Sequence, residues 1–467
     1  MFLKRVKAAL TGSPDTPLAF VGNFEVEDQW AVGEHGLPRL GFSAGAAIVN
    51  RMDEFTLLLA SPDDHVVLKD APDEDYVAHL AELGVALPRV HTVARNDPRR
   101  TVTLDALDDP ELIETLSALE GVRLAPHGTS MLEERLSAAT GLPLVTPRAA
   151  VCKAVNSKIY SRRAADDAGL RQVTGWTAGT MAELEVALDE ALTLLEHGRS
   201  LVIKDAFGVS GKGIVVVEDR QKLERLHTMI LRRAGKSGDD TVALVIEEWV
   251  AKSADLNYQF TVRPDASAHF DFVKEAITEN GVHKGHRIPA GITAEQVAEL
   301  EEASHRLAKT LAGDGFYGVV GVDAMVDTSG RLYPVVEINA RYNMSTYQLP
   351  LQERFMAPGQ VALARQYPLR LSERLPYRDL RRKLAGLLLE GPGGTGLLVS
   401  NFATVNAAAR ESSSFDGRLY GLLIADGHDA RTTLDHEIVR RRHDGVPGPG
   451  DRDRRAGRAV RHTALPV

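Results

Sequence analysis

The stretch Leu201–Arg220, LVIKDAFGVSGKGIVVVEDR, holds an apolar run ending in Lys204, a loop rich in glycine and serine, and a second apolar run. No helical pattern opens after Lys212, so this is not the strand–loop–helix cradle of the common phosphate loop. It reads as strand, loop, strand. Gly208, Gly211 and Gly213 allow close backbone approach. Successive amides in such a loop, with the Ser210 hydroxyl and the mobile Lys212 cation, can wrap phosphate oxygens without a helix terminus. Taken alone, the loop reads equally well as a hairpin turn with incidental glycines, so its neighbours decide.

The decisive neighbour is VDAMVDTSGRLYPVVEINAR, Val322–Arg341. It predicts two strands joined by a turn at DTSG. Asp323 sits on the first strand; Glu337 and Asn339 lie two residues apart on the second, hence on one face. Folding at the turn brings all three together. An unpaired carboxylate inside such apolar strands is expensive, whereas two carboxylates and an amide oxygen make a hard, all-oxygen site suited to magnesium held with nucleotide phosphates. Between flap and hairpin, LVIEEWVAKSADLNYQF runs from Leu244 to Phe260. Glu247, Glu248, Trp249 and Val250 can offer backbone groups and a carboxylate to a base edge, and Asp255 can reach ribose hydroxyls.

Outward from this centre, 467 residues with 44% hydrophobic content exceed one ordinary core, so two or three domains are expected. A formal net charge of -9 gives no bulk bias towards nucleic acid. The single cysteine, Cys152, excludes an internal disulfide framework and a clustered thiolate zinc site, and reads as a buried spectator. No apolar run approaches membrane-spanning length and the basic start lacks an uninterrupted apolar region, so a cytoplasmic protein is expected. Over 1–145 the chain reads as a small α/β unit. PLAFVGNF, FTLLLAS, HVVLKD and VRLAPHG are its strands, and DEDYVAHLAELG is a helix stopped by Gly84. GNFEVED lacks the repeated glycines of a dinucleotide fingerprint. A helix capped by Asn156 follows, then turn residues at GWTAGT and a long amphipathic helix along Leu184, Leu188, Leu192 and Leu195. Thr293 opens another long helix. After Tyr377 a helix and two strands suggest a small closing domain, and 441–467 reads as a basic, flexible tail.

The order of phosphate flap, base and ribose segment, and metal hairpin resembles the ATP-grasp superfamily of carboxylate–amine ligases over Ala149–Leu351. The resemblance implies a mixed α/β (α+β) class: an ATP-grasp fold with an N-terminal pre-ATP-grasp α/β domain and a small C-terminal domain. The units implied are 1–145, 146–245 with the flap, 246–376 with the metal site, 377–440, and the tail. It implies phosphate contacts from Lys158 and Lys204 and from the flap residues Gly208, Ser210, Gly211 and Gly213. The adenine hinge falls on Glu247, Glu248, Trp249 and Val250, and the ribose contact on Asp255, after a loop one residue longer than in the simplest members. Asp323, Glu337 and Asn339 match the magnesium ligands. Catalytic charge is assigned to Arg287, Arg341 and Lys212, with Lys284 and His286 beside Arg287 in NGVHKGHRIPAG. NARYNMSTYQLP lacks the proline–glycine turn of the D-alanine ligases.

The layout also resembles the pheganomycin-type peptide ligases of actinobacteria. That implies ATP and magnesium (manganese as a substitute), an amino-acid-like carboxylate donor bearing a guanidino group, and a peptide amine acceptor. A homodimer is admitted; nucleic acid and membrane are not among the expected partners. The alternatives are an L-amino acid (dipeptide) ligase, another small-molecule carboxylate–amine ligase, or a non-catalytic nucleotide-binding scaffold.

Overall fold

The computed structural model describes residues 1–34, 36–37, 45–208, 213–237, 240–279, 282–409 and 414–443. Three sheets organise them. Strands β1 (Leu18–Val21), β2 (His65–Leu68), β3 (Arg89–Thr92) and β4 (Arg123–Pro126) form a parallel sheet in the order β3-β2-β1-β4. β1 and β2 are buried at every position, as apolar runs covered on both faces must be. FTLLLAS, expected as a strand, is instead helical over Thr56–Leu59. A four-residue apolar run has no decisive period, and here the preceding turn Met52–Phe55 carries it on, with the Thr56 hydroxyl donating to the Asp53 carbonyl at 2.7 Å.

Strands β5 (Gly175–Thr180), β6 (Leu201–Asp205), β7 (Ile214–Val217) and β8 (Thr241–Glu248) form a second sheet, β5-β8-β6-β7. β6 and β7 are antiparallel neighbours, so the flap does join two strands. GWTAGT, expected as a turn, is the edge strand β5: pairing with β8 overrides the turn chemistry of its glycines. The helix Lys158–Asp167 is capped one residue later than expected, by the Ser157 hydroxyl accepting from the Ile159 amide at 3.2 Å. Asn156 instead donates to the carbonyls of Cys152 and Ala340.

The third sheet has eight antiparallel strands. They are β9 (Lys252–Val262), β10 (Ala268–Glu279), β11 (Val282–Ile288), β12 (Gly318–Asp327), β13 (Leu332–Asn339), β14 (Val361–Leu371), β15 (Gly396–Asn401) and β16 (Phe415–Ala425), in the order β13-β12-β9-β10-β11-β14-β16-β15. The two strands assigned to a closing domain therefore continue this sheet. β11 and β14 had no strand reading, because basic residues and a proline mask their alternation. The helix Ala294–Gly313, capped by Thr293 and Gln296, covers one face of the sheet. There Leu256, Tyr258, Phe260, Val322 and Ile338 meet Leu300, Leu307 and Leu311 in a shared core. Tyr76, Leu80 and Leu83 pack with β14–β16 in another core, tying the first unit to the last strands. Among the described residues, no helix is long and apolar enough to cross a membrane. The tail from Asp444 onward lies outside the described residues.

Candidate active site

Antiparallel pairing of β12 with β13 sets Asp323 directly opposite Glu337, and pairing with β9 sets Asp323 opposite Asn257. Asn257 in turn faces Lys274 on β10. Side chains alternate across a strand, so Glu337, Asp323, Asn257 and Lys274 form a polar row on one face while Val322, Ile338 and Leu256 enter the core on the other. This explains how carboxylates interrupt apolar strands. Asp323 accepts from Asn257 Nδ2 at 2.8 Å and from Asn339 Nδ2 at 3.3 Å. Burial, then the Glu337 charge across the pair, raise the Asp323 carboxyl to about 6. The expected trio thus converges, with Asn339 turning its amide nitrogen towards Asp323 and its oxygen towards Arg341 Nη2 at 3.1 Å.

Lys158, at the start of its helix, completes the group. Its buried ammonium donates to Glu337 Oε1 at 2.6 Å and to the Gly208 carbonyl at 2.9 Å. Burial opposes the charge, but Glu337 and Glu27 outweigh it and hold the ammonium above its usual range. One lysine therefore links the carboxylate row to the flap. Two facing carboxylates, one lysine and a raised carboxyl are the electrostatics of a site short of cationic charge. The donor set is hard oxygen, as a divalent ion such as magnesium requires. Among the described residues, no group of three or more His, Cys, Asp or Glu side chains is placed to hold a metal ion; the trio here is two carboxylates and an amide.

Across from this row, Lys204 on β6 and Arg162 on the Lys158 helix both pair with Glu247, Arg162 at 2.6 Å. Burial works against ionisation of Glu247, but the two cations outweigh it and hold its carboxyl below the usual value. The Glu247 carboxylate is thus engaged by two cations, one from β6 and one from the Lys158 helix. Arg162 escaped sequence reading because it stands within a helix of alternating charge. Glu248 pairs with Arg199, and Trp249 is 44% exposed with its amide bound to the Ser200 carbonyl. Asp255 lies two residues from Asn257 on the same face, holding Lys252 and Thr278. Gly213 has φ +78, and a Cβ there would meet Asp205 Oδ2 at 2.6 Å, so its glycine is obligatory. Ser210, Gly211 and Lys212 lie outside the described residues.

Arg341 is held by Glu27, from the short helix after β1, and by the Tyr342 carbonyl. Beside it His127, buried against Phe24 with ring centroids 4.2 Å apart, bonds to the Tyr347 hydroxyl at 2.8 Å. Burial, then Arg341, push this imidazole well below its usual range. The loops after β1 and β4 therefore contribute to the site, which the absence of a glycine fingerprint in GNFEVED had hidden. Arg287 does not join the row: it pairs with Glu275, next to Lys274 and so on the opposite face, exposed to solvent. His286 is on the row's side, buried and held neutral by burial and by His283 and Lys274, with Gln348 at 3.0 Å. Lys284 stands at the register shift between β10 and β11, without a Cα partner in that ladder. Cys152 is a buried spectator whose thiol burial pushes up to about 12.

The sequence matches the Pre ATP-grasp domain over residues 52–142 and the ATP-grasp domain over residues 183–345, the span of the flap, the hinge and the carboxylate row. The chain belongs to the ATP-grasp superfamily. This ATP-grasp chain is 28% identical over 327 residues to the [butirosin acyl-carrier protein]–L-glutamate ligase of Niallia circulans, covering 70% of this chain and 72% of that protein. It is 26% identical over 179 residues to a formate-dependent phosphoribosylglycinamide formyltransferase of Bacteroides thetaiotaomicron, 38% of this chain and 44% of that one. Its fold is similar to a biotin carboxylase ATP-analogue complex from Campylobacter jejuni (TM-score 0.53, 14% identity, covering 94% and 96% of the two chains). It is also similar to an N5-carboxyaminoimidazole ribonucleotide synthetase from Thermus thermophilus (TM-score 0.52, 14% identity, 91% and 98%).

Proposed function

We propose that this ATP-dependent, ADP-forming carboxylate–amine ligase activates an amino-acid-like carboxylate as an acyl phosphate and passes it to a peptide amine. The observation that carries the reading is the facing pair Asp323–Glu337 with Lys158 bridging it to the flap. In this reading Lys158, Lys204 and the flap 208–213 meet the phosphates, and β8 with Val250 and Asp255 holds base and ribose. Asp323, Glu337 and Asn339 hold magnesium, which supplies charge neutralisation during phosphoryl transfer. Arg341, placed between Glu27 and Asn339, is the cation available to the donor carboxylate. Arg287, on the other face of the sheet, is given no role in this reading. The unit boundaries at 145, 245, 376 and 440 belong to the same proposal, as does the finer assignment of a nonproteinogenic guanidino donor joined to a peptide amino terminus in natural-product assembly.

A second reading rests on the Niallia circulans relative, whose name joins an acyl-carrier protein and L-glutamate: in this reading the acceptor amine of the present chain is carried by a protein. Donor carboxylate labelled with oxygen-18 tests the common core. One labelled oxygen is expected in the released phosphate. Label in a nucleotide monophosphate, with pyrophosphate released, overturns the mechanism. Free peptide against carrier-bound amine, compared by ADP release, separates the two acceptors.

A further inference from the structure

A second cavity lies away from the carboxylate row, between the carboxyl ends of β2 and β3 and the loop after β15. Its volume is about 120 Å3, the scale that holds a small organic molecule. Arg51, Asp70, Asn96 and Arg374 line it, and Phe402 and Ala403 form one wall. That wall is fixed: Glu54 accepts from the amides of both residues at 2.6 and 2.7 Å. The Arg51 backbone carbonyl is tied to it by Asn401 Nδ2 at 3.2 Å.

Two side chains of the lining, Arg51 and Asn96, hold a buried polar atom that makes no hydrogen bond among the described residues. The Arg51 side chain is only 12% exposed, yet among the described residues its guanidinium has two loose ion contacts, Asp53 at 3.6 Å and Asp70 at 3.5 Å. Its buried Nε makes no hydrogen bond among the described residues, nor does the buried Asn96 Oδ1. A guanidinium cannot shed its proton, and a buried donor without an acceptor is costly. Arg374, exposed on the rim, adds a second guanidinium. Two such forks suit a carboxylate, which each can bind in parallel. The Asp70 carboxylate, 3.5 Å from the Arg51 guanidinium, and the Asn96 oxygen suit an ammonium group, and they disfavour a phosphate dianion. Crevices outside strand carboxyl ends and between structural units are where α/β folds place ligands.

We propose that this cavity binds a free α-amino acid as its zwitterion, with Arg51 and Arg374 on the carboxylate and Asp70 and Asn96 facing the ammonium. The site is separate from the nucleotide and metal groups and does not rest on the reaction assigned to them. Calorimetry on the full chain without nucleotide tests it, with glycine, L-arginine, L-glutamate and L-phenylalanine as probes, and acetate, methylammonium and inorganic phosphate as controls. At least one amino acid is expected to bind more than tenfold tighter than every control. Arg374→Gln, on the exposed rim, should weaken that binding at least tenfold without changing the melting temperature or ATP affinity. Glu337→Gln, in the carboxylate row, should leave it unchanged. The proposal is overturned if none of the four binds, if acetate or phosphate binds as well, or if Glu337→Gln rather than Arg374→Gln abolishes the signal.

Discussion

Two clusters of buried acids stand in this molecule, and they are built on opposite rules. In the first unit, Asp53 accepts from the amides of Glu54 and Lys69, Glu133 from Ser130 and Thr103, and Glu54 from two amides of the loop after β15. Lys69 is enclosed by Asp105 and two carbonyls. Each acid there is aimed at donors within the protein. In the eight-stranded sheet, Asp323 and Glu337 are aimed at each other, with only Lys158 and two asparagine amides between them and a charge deficit. A carboxylate answered by backbone amides is architecture; a carboxylate facing another carboxylate is an arrangement that a further cation would stabilise.

The contrast is broken most severely at Glu337. Glu337→Gln is expected to lower magnesium-dependent ADP formation on the order of a hundredfold to a thousandfold, with the far-ultraviolet circular dichroism unchanged; unimpaired turnover in the folded variant removes the metal assignment. Lys69→Met should do the reverse. It leaves Asp105 and Asp53 short of a buried cation and is expected to destabilise by about 3–5 kcal/mol in urea unfolding, with turnover per folded molecule preserved. Loss of turnover at full stability would make the first cluster functional after all.

Glu25 sharpens the comparison because it obeys neither rule. Its two carboxyl oxygens are enclosed without a hydrogen-bond partner among the described residues, although the rest of the residue is partly exposed. Burial, opposed by the nearby dipole of its own backbone amide and assisted by the Glu133 charge, raises the group to about 8 from 4.5. The folded chain keeps this proton to higher pH than the unfolded chain does. Its contribution to stability is therefore complete below pH 4.5 and declines as pH rises through about 8. Glu25→Gln should flatten that decline, gaining about 2–4 kcal/mol over the parent near pH 9 and little near pH 5. Equal slopes in urea unfolding at the two pH values would contradict it. The smallest expected effect is in the flap, where Gly211→Val should weaken ATP binding about tenfold, about 1.4 kcal/mol, by calorimetry, with a modest change in melting temperature.

What the sequence disclosed followed from periodicity. The β12–β13 hairpin was legible because its pattern, two apolar runs around a polar turn, is plain, and with it came Asp323, Glu337 and Asn339. Helices with long apolar stripes and caps, such as Ala294–Gly313, were legible for the same reason. Thr56–Leu59 was misread because four apolar residues have no measurable period, and GWTAGT because pairing across space outweighed local turn preference. Arg162 and Glu27 were out of reach. Each serves the site through a partner more than 80 residues or more than 300 residues away in sequence, |i−j| being 85 and 314, and nothing local marks a charge that will be paired so far off. Arg287 shows the converse: residue type and neighbourhood favoured it, and strand alternation sets it on the face away from the row.

The register between β14 and β16 runs unbroken from Val361 opposite Ala425 to Leu371 opposite Phe415, and β14 is itself paired to β11 beside the carboxylate row. The last strands are thus woven into the same fabric as the catalytic face. Such a protein does not lend itself to cassette exchange: a chimaera joined after Leu371 would bare a full-length strand edge, an invitation to intermolecular pairing. Recombination or engineering that aims to alter acceptor choice has its natural seams in the loops, at the ends of strands, and not between the strands themselves.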